Sequence, residues 1–121
     1  MRFDVPYIIN EEPVKEYWYT VYSNEKKAAL AFKTAKKVYK RTRLAEAQNW
    51  RCCWCGTDTI PEPNKRNSVT LEHILPKSQG GSDEMDNLAA ACAHCNSRRG
   101  TKHLQEFLAI LAKKNKKLKV A

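Results

Sequence analysis

Glycine is scarce in this chain, 4 among 121 residues, and proline is little commoner at 5. That scarcity excludes a collagen-like or low-complexity chain. Long apolar runs are missing as well. None approaches the roughly 20 residues needed to span a bilayer, and the opening MRFDVPYIINEEPVKEYWYT has no apolar signal core. The expectation is a soluble, cytoplasmic protein with no membrane partner. Acidic residues are also short, with 13 Asp plus Glu against 22 Lys plus Arg and a net charge of +9. Such an excess points to an anionic partner. The length fits one domain, 1–121, at the low end of what a single core stabilises.

The position of the charge says more than its total. Residues 1–24 carry 2 basic and 4 acidic groups, residues 25–51 carry 9 and 2, residues 52–100 carry 5 and 6, and residues 101–121 carry 6 and 1. Two basic flanks therefore bracket a near-neutral centre. The same centre holds all 5 cysteines and two of the 3 histidines.

Residues 1–23 mix Pro6 and Pro13 with Tyr17, Trp18, Tyr19 and Tyr22 in partly alternating order, which suits a short strand or ordered arm. From Asn24 to about Asn49 there is no Gly or Pro, and Ala28, Ala31, Phe32, Ala35, Val38, Tyr39 and Thr42 recur at three- and four-residue steps. This spacing predicts an amphipathic helix over 24–49 with Asn24 as its N-cap. Lys33, Lys36, Lys37, Lys40, Arg41 and Arg43 fall off the apolar stripe and give it a basic face. A solvated surface kept for solubility is the bland alternative. Thr57 to Ser68 reads as a loop, Val69 to Ile74 as a strand, Leu88 to Ala91 as its return, and Ala93 to Arg99 as a short helix stopped by Gly100. Leu104, Phe107, Leu108 and Leu111 then mark a C-terminal helix that gives way to a basic tail, and no internal repeat is visible.

Cys52 and Cys55 form one C-x2-C pair and Cys92 and Cys95 another, with 36 residues between the pairs. Two residues between thiolates let a tight turn put both sulfurs on one tetrahedral ion, so two such pairs make a closed structural zinc site. Disulfides are the competing reading, disfavoured in a reducing compartment. A redox role lacks a thioredoxin-like context. Cys53 is the odd thiol and is expected to be a bystander. His94 is expected to point out of the second knuckle.

Between the knuckles lie Glu72 and His73 at a strand end, Asn87 after the Gly80-Gly81 turn, and Asn96 on the short helix. An acidic group beside an imidazole, with two carboxamides nearby, suggests a small hydrolytic centre. Successive strand residues point to opposite faces, so Glu72 and His73 share a face only if the strand ends there. A metal would sit between strand end and helix.

The run Glu72-His73-Ile74-Leu75-Pro76, the Gly-Gly turn, Asn87-Leu88, Cys92-x2-Cys95-Asn96 and the basic-Gly ending together resemble the HNH endonuclease family over about Trp50 to Lys102. Glu72 stands where many members have Asp, and Asn96 where a second His is frequent. The resemblance implies an α+β fold, a small ββα-metal unit (50–104) stapled by zinc. The basic helix (24–49) and N-terminal arm (1–23) precede it, and a C-terminal helix and basic tail (105–121) follow. It further implies Glu72 and Asn96 holding a divalent ion, Mg2+ or Mn2+, His73 as general base, and Asn87 fixing the loop that orients His73. Lys77, Arg98, Arg99 and Lys102 are then candidates for phosphate contacts, with His103 structural or exposed. The implied function is metal-dependent hydrolysis of DNA phosphodiesters in a bacterial or phage-infected cell, by nicking or double-strand cutting, with a homodimer as one route to two cuts. Two alternatives stand beside it. One is a non-catalytic zinc-ribbon module that binds nucleic acid. The other is a nuclease subunit active only within a larger assembly of the phage-packaging type.

Overall fold

Residues 12–120 are described in the computed structural model, with side chains through residue 113. The expected arm over 1–23 lies outside the described residues up to residue 11, as do the side chains of the tail lysines 114, 116, 117 and 119. Among the described residues the order is α1 (Lys15–Val21), α2 (Glu25–Ala47), β1 (Val69–His73), β2 (Leu88–Cys92), α3 (Ala93–Arg99) and α4 (Leu104–Val120). No helix among them is long and apolar enough to cross a membrane. By compactness the chain divides into two units, Met1–Arg43 and Leu44–Ala121, with the border inside α2.

In the first unit the expectation of a short strand is overturned, because Lys15–Val21 is helical. The aromatic residues favour the helix through their spacing. Trp18 in the helix and Tyr22, its C-cap, are four apart and stack at 6.4 Å between ring centroids, with Tyr22 N–H on Trp18 O, a closeness that alternation in a strand would not give. The longer helix follows its sequence signals. Asn24 Oδ1 accepts from the backbone N–H of Lys26 at 2.8 Å and of Lys27 at 3.1 Å, the N-cap role expected of it. Ala28, Ala35 and Thr42 are buried while Lys33, Lys36 and Lys37 are exposed, so the seven-residue stripe faces in and the lysines face out.

The second unit is built on a two-stranded antiparallel sheet. Val69 pairs with Cys92, Glu72 with Ala89 and His73 with Leu88. Small side chains on β2 let neighbours approach closely. Ala90 is fully buried in a cluster with Ala45 and Val69, against which Leu44 and Trp50 pack. Gln48, just past α2, accepts from Ala90 N–H at 2.9 Å and donates to Ala90 O at 2.9 Å. This carboxamide completes the edge of β2 as another strand would. Ala91 lies in a second cluster with Cys52, Cys92 and Cys95, flanked by Trp54. The short helix α3 ends where Gly100 takes φ 54° and its N–H caps Asn96 O, as the glycine signal predicted. α4 runs to Val120, further than the expected break into a tail. Strand, return strand and helix form a ββα unit with four clustered cysteines.

Candidate active site and metal centre

The four cysteines converge. The Sγ atoms of Cys52, Cys55, Cys92 and Cys95 all lie within 4.8 Å of one another, and Cys55 and Cys92 approach to 3.8 Å. Tetrahedral zinc with Zn–S bonds of about 2.3 Å requires S···S spacings of about 3.8 Å. Backbone N–H groups already aim at the sulfurs, Trp54 N–H at Cys52 Sγ (3.3 Å) and Cys95 N–H at Cys92 Sγ (3.4 Å). These donors favour thiolates. A hydrogen bond from Cys53 draws the Cys52 thiol down to about 4, whereas burial pushes Cys92 and Cys95 up. Four thiols so close in a partly buried pocket need a cation to ionise together, and a zinc ion supplies that charge. The donor set and its spacing fit zinc.

Cys53 is outside this cluster. Its thiol is exposed and is pushed up chiefly by its bond to Cys52, and its backbone N–H joins Ala90 O at 3.0 Å. His94 is also outside the cluster. It is half-buried and borders, with Trp54, Arg66, Arg98 and Leu111, a cleft of about 300 Å³ beside the knuckles.

At the end of β1 the two neighbours diverge. Glu72 is 4% exposed, and its Oε2 accepts from Arg99 Nη1 at 2.8 Å and Trp54 Nε1 at 3.0 Å. His73 is half-buried, and its Nε2 lies 2.8 Å from Asp83 Oδ1. Asn96 donates its amide to Thr70 Oγ1 at 2.8 Å and Leu71 O at 3.0 Å. That anchor leaves its carbonyl oxygen as the end not spent on β1. Asn87 accepts from Leu75 N–H (2.9 Å) and donates to Leu75 O (3.1 Å) and Ser82 O (2.9 Å). Its own carbonyl accepts from Ile74 N–H at 2.9 Å. Asn87 thus ties together both ends of the turn that follows His73.

The basic residues part company. Lys77 is exposed and pairs with Asp83 Oδ2 at 3.0 Å. Arg98 is half-buried along the cleft, and Lys102 Nζ donates to the Arg98 carbonyl at 2.9 Å. Arg99 departs from expectation. It is 1% exposed, with hydrogen bonds to Glu72, His73 O, Ile74 O and Lys102 O, so its guanidinium is spent inside the protein and does not face a phosphate. Two further residues belong to this region without having been singled out from the sequence. Trp54 sits between two zinc ligands and touches Glu72. Asp83 follows the Gly-Gly turn and touches His73, and its carboxyl is held down at about 2 by His73 and Lys77. The turn glycines were the available signal for Asp83, since they bend the chain back over the strand end.

Comparison with known proteins follows this geometry. Residues 52–111 match a family model described as HNH endonuclease. Among curated proteins, the CRISPR-associated endonuclease Cas9 of Corynebacterium diphtheriae is 31% identical over 61 residues, 50% of this chain and 5% of that protein. The chain therefore aligns with a small fraction of that relative's length.

Proposed function

We propose that this chain, whose residues 52–111 belong to the HNH endonuclease family, is a metal-dependent nuclease that hydrolyses phosphodiester bonds in DNA. The observation that carries this reading is that Glu72 and His73 end β1, Asn87 ties the turn after them and Asn96 is bonded to β1 at Thr70 and Leu71, beside four clustered cysteines and within the matched segment. Glu72 keeps one carboxylate oxygen beyond the Oε2 held by Arg99 and Trp54, and Asn96 keeps its carbonyl oxygen. Oxygen donors of this kind suit Mg2+ or Mn2+. When bound there, such an ion supplies positive charge to a phosphate in the transition state.

The chain's own groups do the rest. His73 takes the proton from the attacking water as the phosphorus–oxygen bond to the leaving sugar weakens. Asn87 holds the turn that frames His73. In this reading Lys77, Arg98 and Lys102 engage phosphates next to the scissile bond, and the exposed lysines of α2 add sequence-independent affinity that falls with salt. The experiment is plasmid cleavage with Mg2+, Mn2+ or EDTA, by wild type and His73→Ala. Wild type is expected to cut only with the divalent ion, and the variant to lose about 10²- to 10⁴-fold. Equal cutting by both would overturn the mechanism. Binding without cutting under every condition would point to a non-catalytic zinc-ribbon module instead.

One observation favours a second reading, a nuclease that works inside a larger assembly. The segment of Corynebacterium diphtheriae Cas9 that aligns here is 5% of that protein. Weak cleavage alone, strongly raised by a partner, would support it.

A further inference from the structure

We infer that Asp83 is a positioning residue for His73, fixing the imidazole with its proton on Nε2 so that Nδ1 is the nitrogen that accepts the proton from water. The inference rests on the nuclease reading above and adds to it a residue and a tautomer. Its basis is the 2.8 Å contact between His73 Nε2 and Asp83 Oδ1. A carboxylate accepts hydrogen bonds and has none to give at neutral pH, so the nitrogen facing it must carry the proton. The other nitrogen of a neutral ring is then the base. A carboxylate behind a histidine holds its tautomer and orientation in hydrolases of unrelated folds by the same logic.

The loop that carries Asp83 is held in place. Gly80 takes φ 92°, and Gly81 N–H donates to Pro76 O at 3.0 Å. A Cβ on Gly81 would lie 1.7 Å from Leu75 O, so the turn closes more tightly than any side chain permits. Asn87 ties Leu75 to Ser82, the residue before Asp83. The second carboxylate oxygen of Asp83 is taken by Lys77 Nζ at 3.0 Å. With one oxygen on the lysine and the backbone clamped on both sides, the other oxygen is directed to His73. Glu72, adjacent in sequence, is turned to Arg99 and Trp54 and does not compete for the ring.

The test uses the full, zinc-loaded chain and the variants Asp83→Ala and Asp83→Asn. Nitrogen-15 NMR of the His73 ring at a pH where it is neutral should show the proton on Nε2 in wild type and a mixture of tautomers in Asp83→Ala. In plasmid cleavage with Mg2+, kcat is expected to fall about 10- to 100-fold in Asp83→Ala at little-changed KM, the range set by partners that orient functional histidines. Asp83→Asn, which still offers a carbonyl acceptor, should retain more activity than Asp83→Ala. Zinc content and melting temperature should match wild type, because Asp83 is exposed. Unchanged kcat in Asp83→Ala, or a wild-type ring protonated on Nδ1, would overturn the inference. A wild type that cuts nothing would overturn the nuclease reading and the catalytic consequence with it, while the NMR result would still decide whether Asp83 sets the tautomer.

Discussion

Truncating Arg99 to alanine removes a guanidinium that is 1% exposed and bonded to Glu72 Oε2 (2.8 Å), His73 O (2.9 Å), Ile74 O (2.6 Å) and Lys102 O (3.1 Å). The cost lies mainly in what is left behind. Glu72, 4% exposed, would keep only the Trp54 indole N–H on that oxygen, with no cation beside it. Breaking one partner out of a buried ion pair costs about 3–5 kcal/mol, and stranded carbonyls add to it. Whole domains are stable by about 5–15 kcal/mol. At about 4–8 °C per kcal/mol for a unit of this size, the melting temperature should fall by on the order of 20 °C. Circular dichroism melts at saturating zinc measure this directly. Arg99→Lys, which keeps charge but loses the planar fork, should fall in between. The double variant Arg99→Met with Glu72→Leu should recover much of the loss, since removing both charges leaves none unpaired. It should still not cleave. An Arg99→Ala melt within about 3 °C of wild type would refute the reasoning, because a solvent-relaxed pair is worth at most about 1 kcal/mol.

Zinc removal and turn geometry give two further expectations. Zinc competes with protons for the same sulfurs, and burial holds Cys92 and Cys95 above the ordinary thiol value. Bound zinc measured by atomic absorption should therefore fall as pH is lowered, and chelation at neutral pH should unfold the unit; metal content indifferent to pH would contradict a tetrathiolate. Gly81→Ala should disrupt the turn, given the 1.7 Å approach to Leu75 O, and lower both melting temperature and cleavage. Gly56→Ala, at φ 75° with nothing within 4 Å, should cost only about 1–2 kcal/mol for its left-handed backbone. Similar melts for the two would sink the steric argument.

Much of the second unit was legible because its signals are local. C-x2-C spacing picks out the four cysteines that converge, Gly100 stops α3, and the β-branched and apolar run from Val69 to Ile74 marks β1, which ends one residue earlier at His73. The failures came where chemistry depends on distance in space. Arg98 and Arg99 are adjacent and look alike in a sequence, yet α3 turns the second into the protein and leaves the first on the cleft. Nothing local distinguishes them. Only the fold brings Arg99 under Glu72, 27 residues earlier. Asp83 carries no signal of its own in the sequence, because its contact to His73 exists only once the Gly80-Gly81 turn folds the chain back on Leu75 and Pro76. In and just after α1, alternation and helical spacing coexist among four aromatic residues, and the segment folds as a helix with Trp18 stacked on Tyr22 at its C-cap.

The zinc centre and the strand end are joined by Trp54. Its neighbours in sequence place it inside the first knuckle, between Cys52 and Cys55, so ligation of those two sulfurs would fix its backbone. The ring then packs edge-on against Phe107 of α4 at 5.2 Å, lies 5.4 Å from the Arg99 guanidinium, and donates Nε1–H to Glu72. Each contact depends on the others. Phe107 is fully buried and holds the ring from one side, a cation over an aromatic face is favoured in such a dry setting, and the indole donor helps satisfy the carboxylate that Arg99 neutralises. The unit is too small for its core alone to hold a buried charge pair in one geometry. A zinc ion held by the four cysteines would supply that rigidity, and Trp54 would carry it from the knuckle to the carboxylate. A staple placed elsewhere in the fold would add stability without fixing Glu72, whereas this one enters the candidate site through a single side chain.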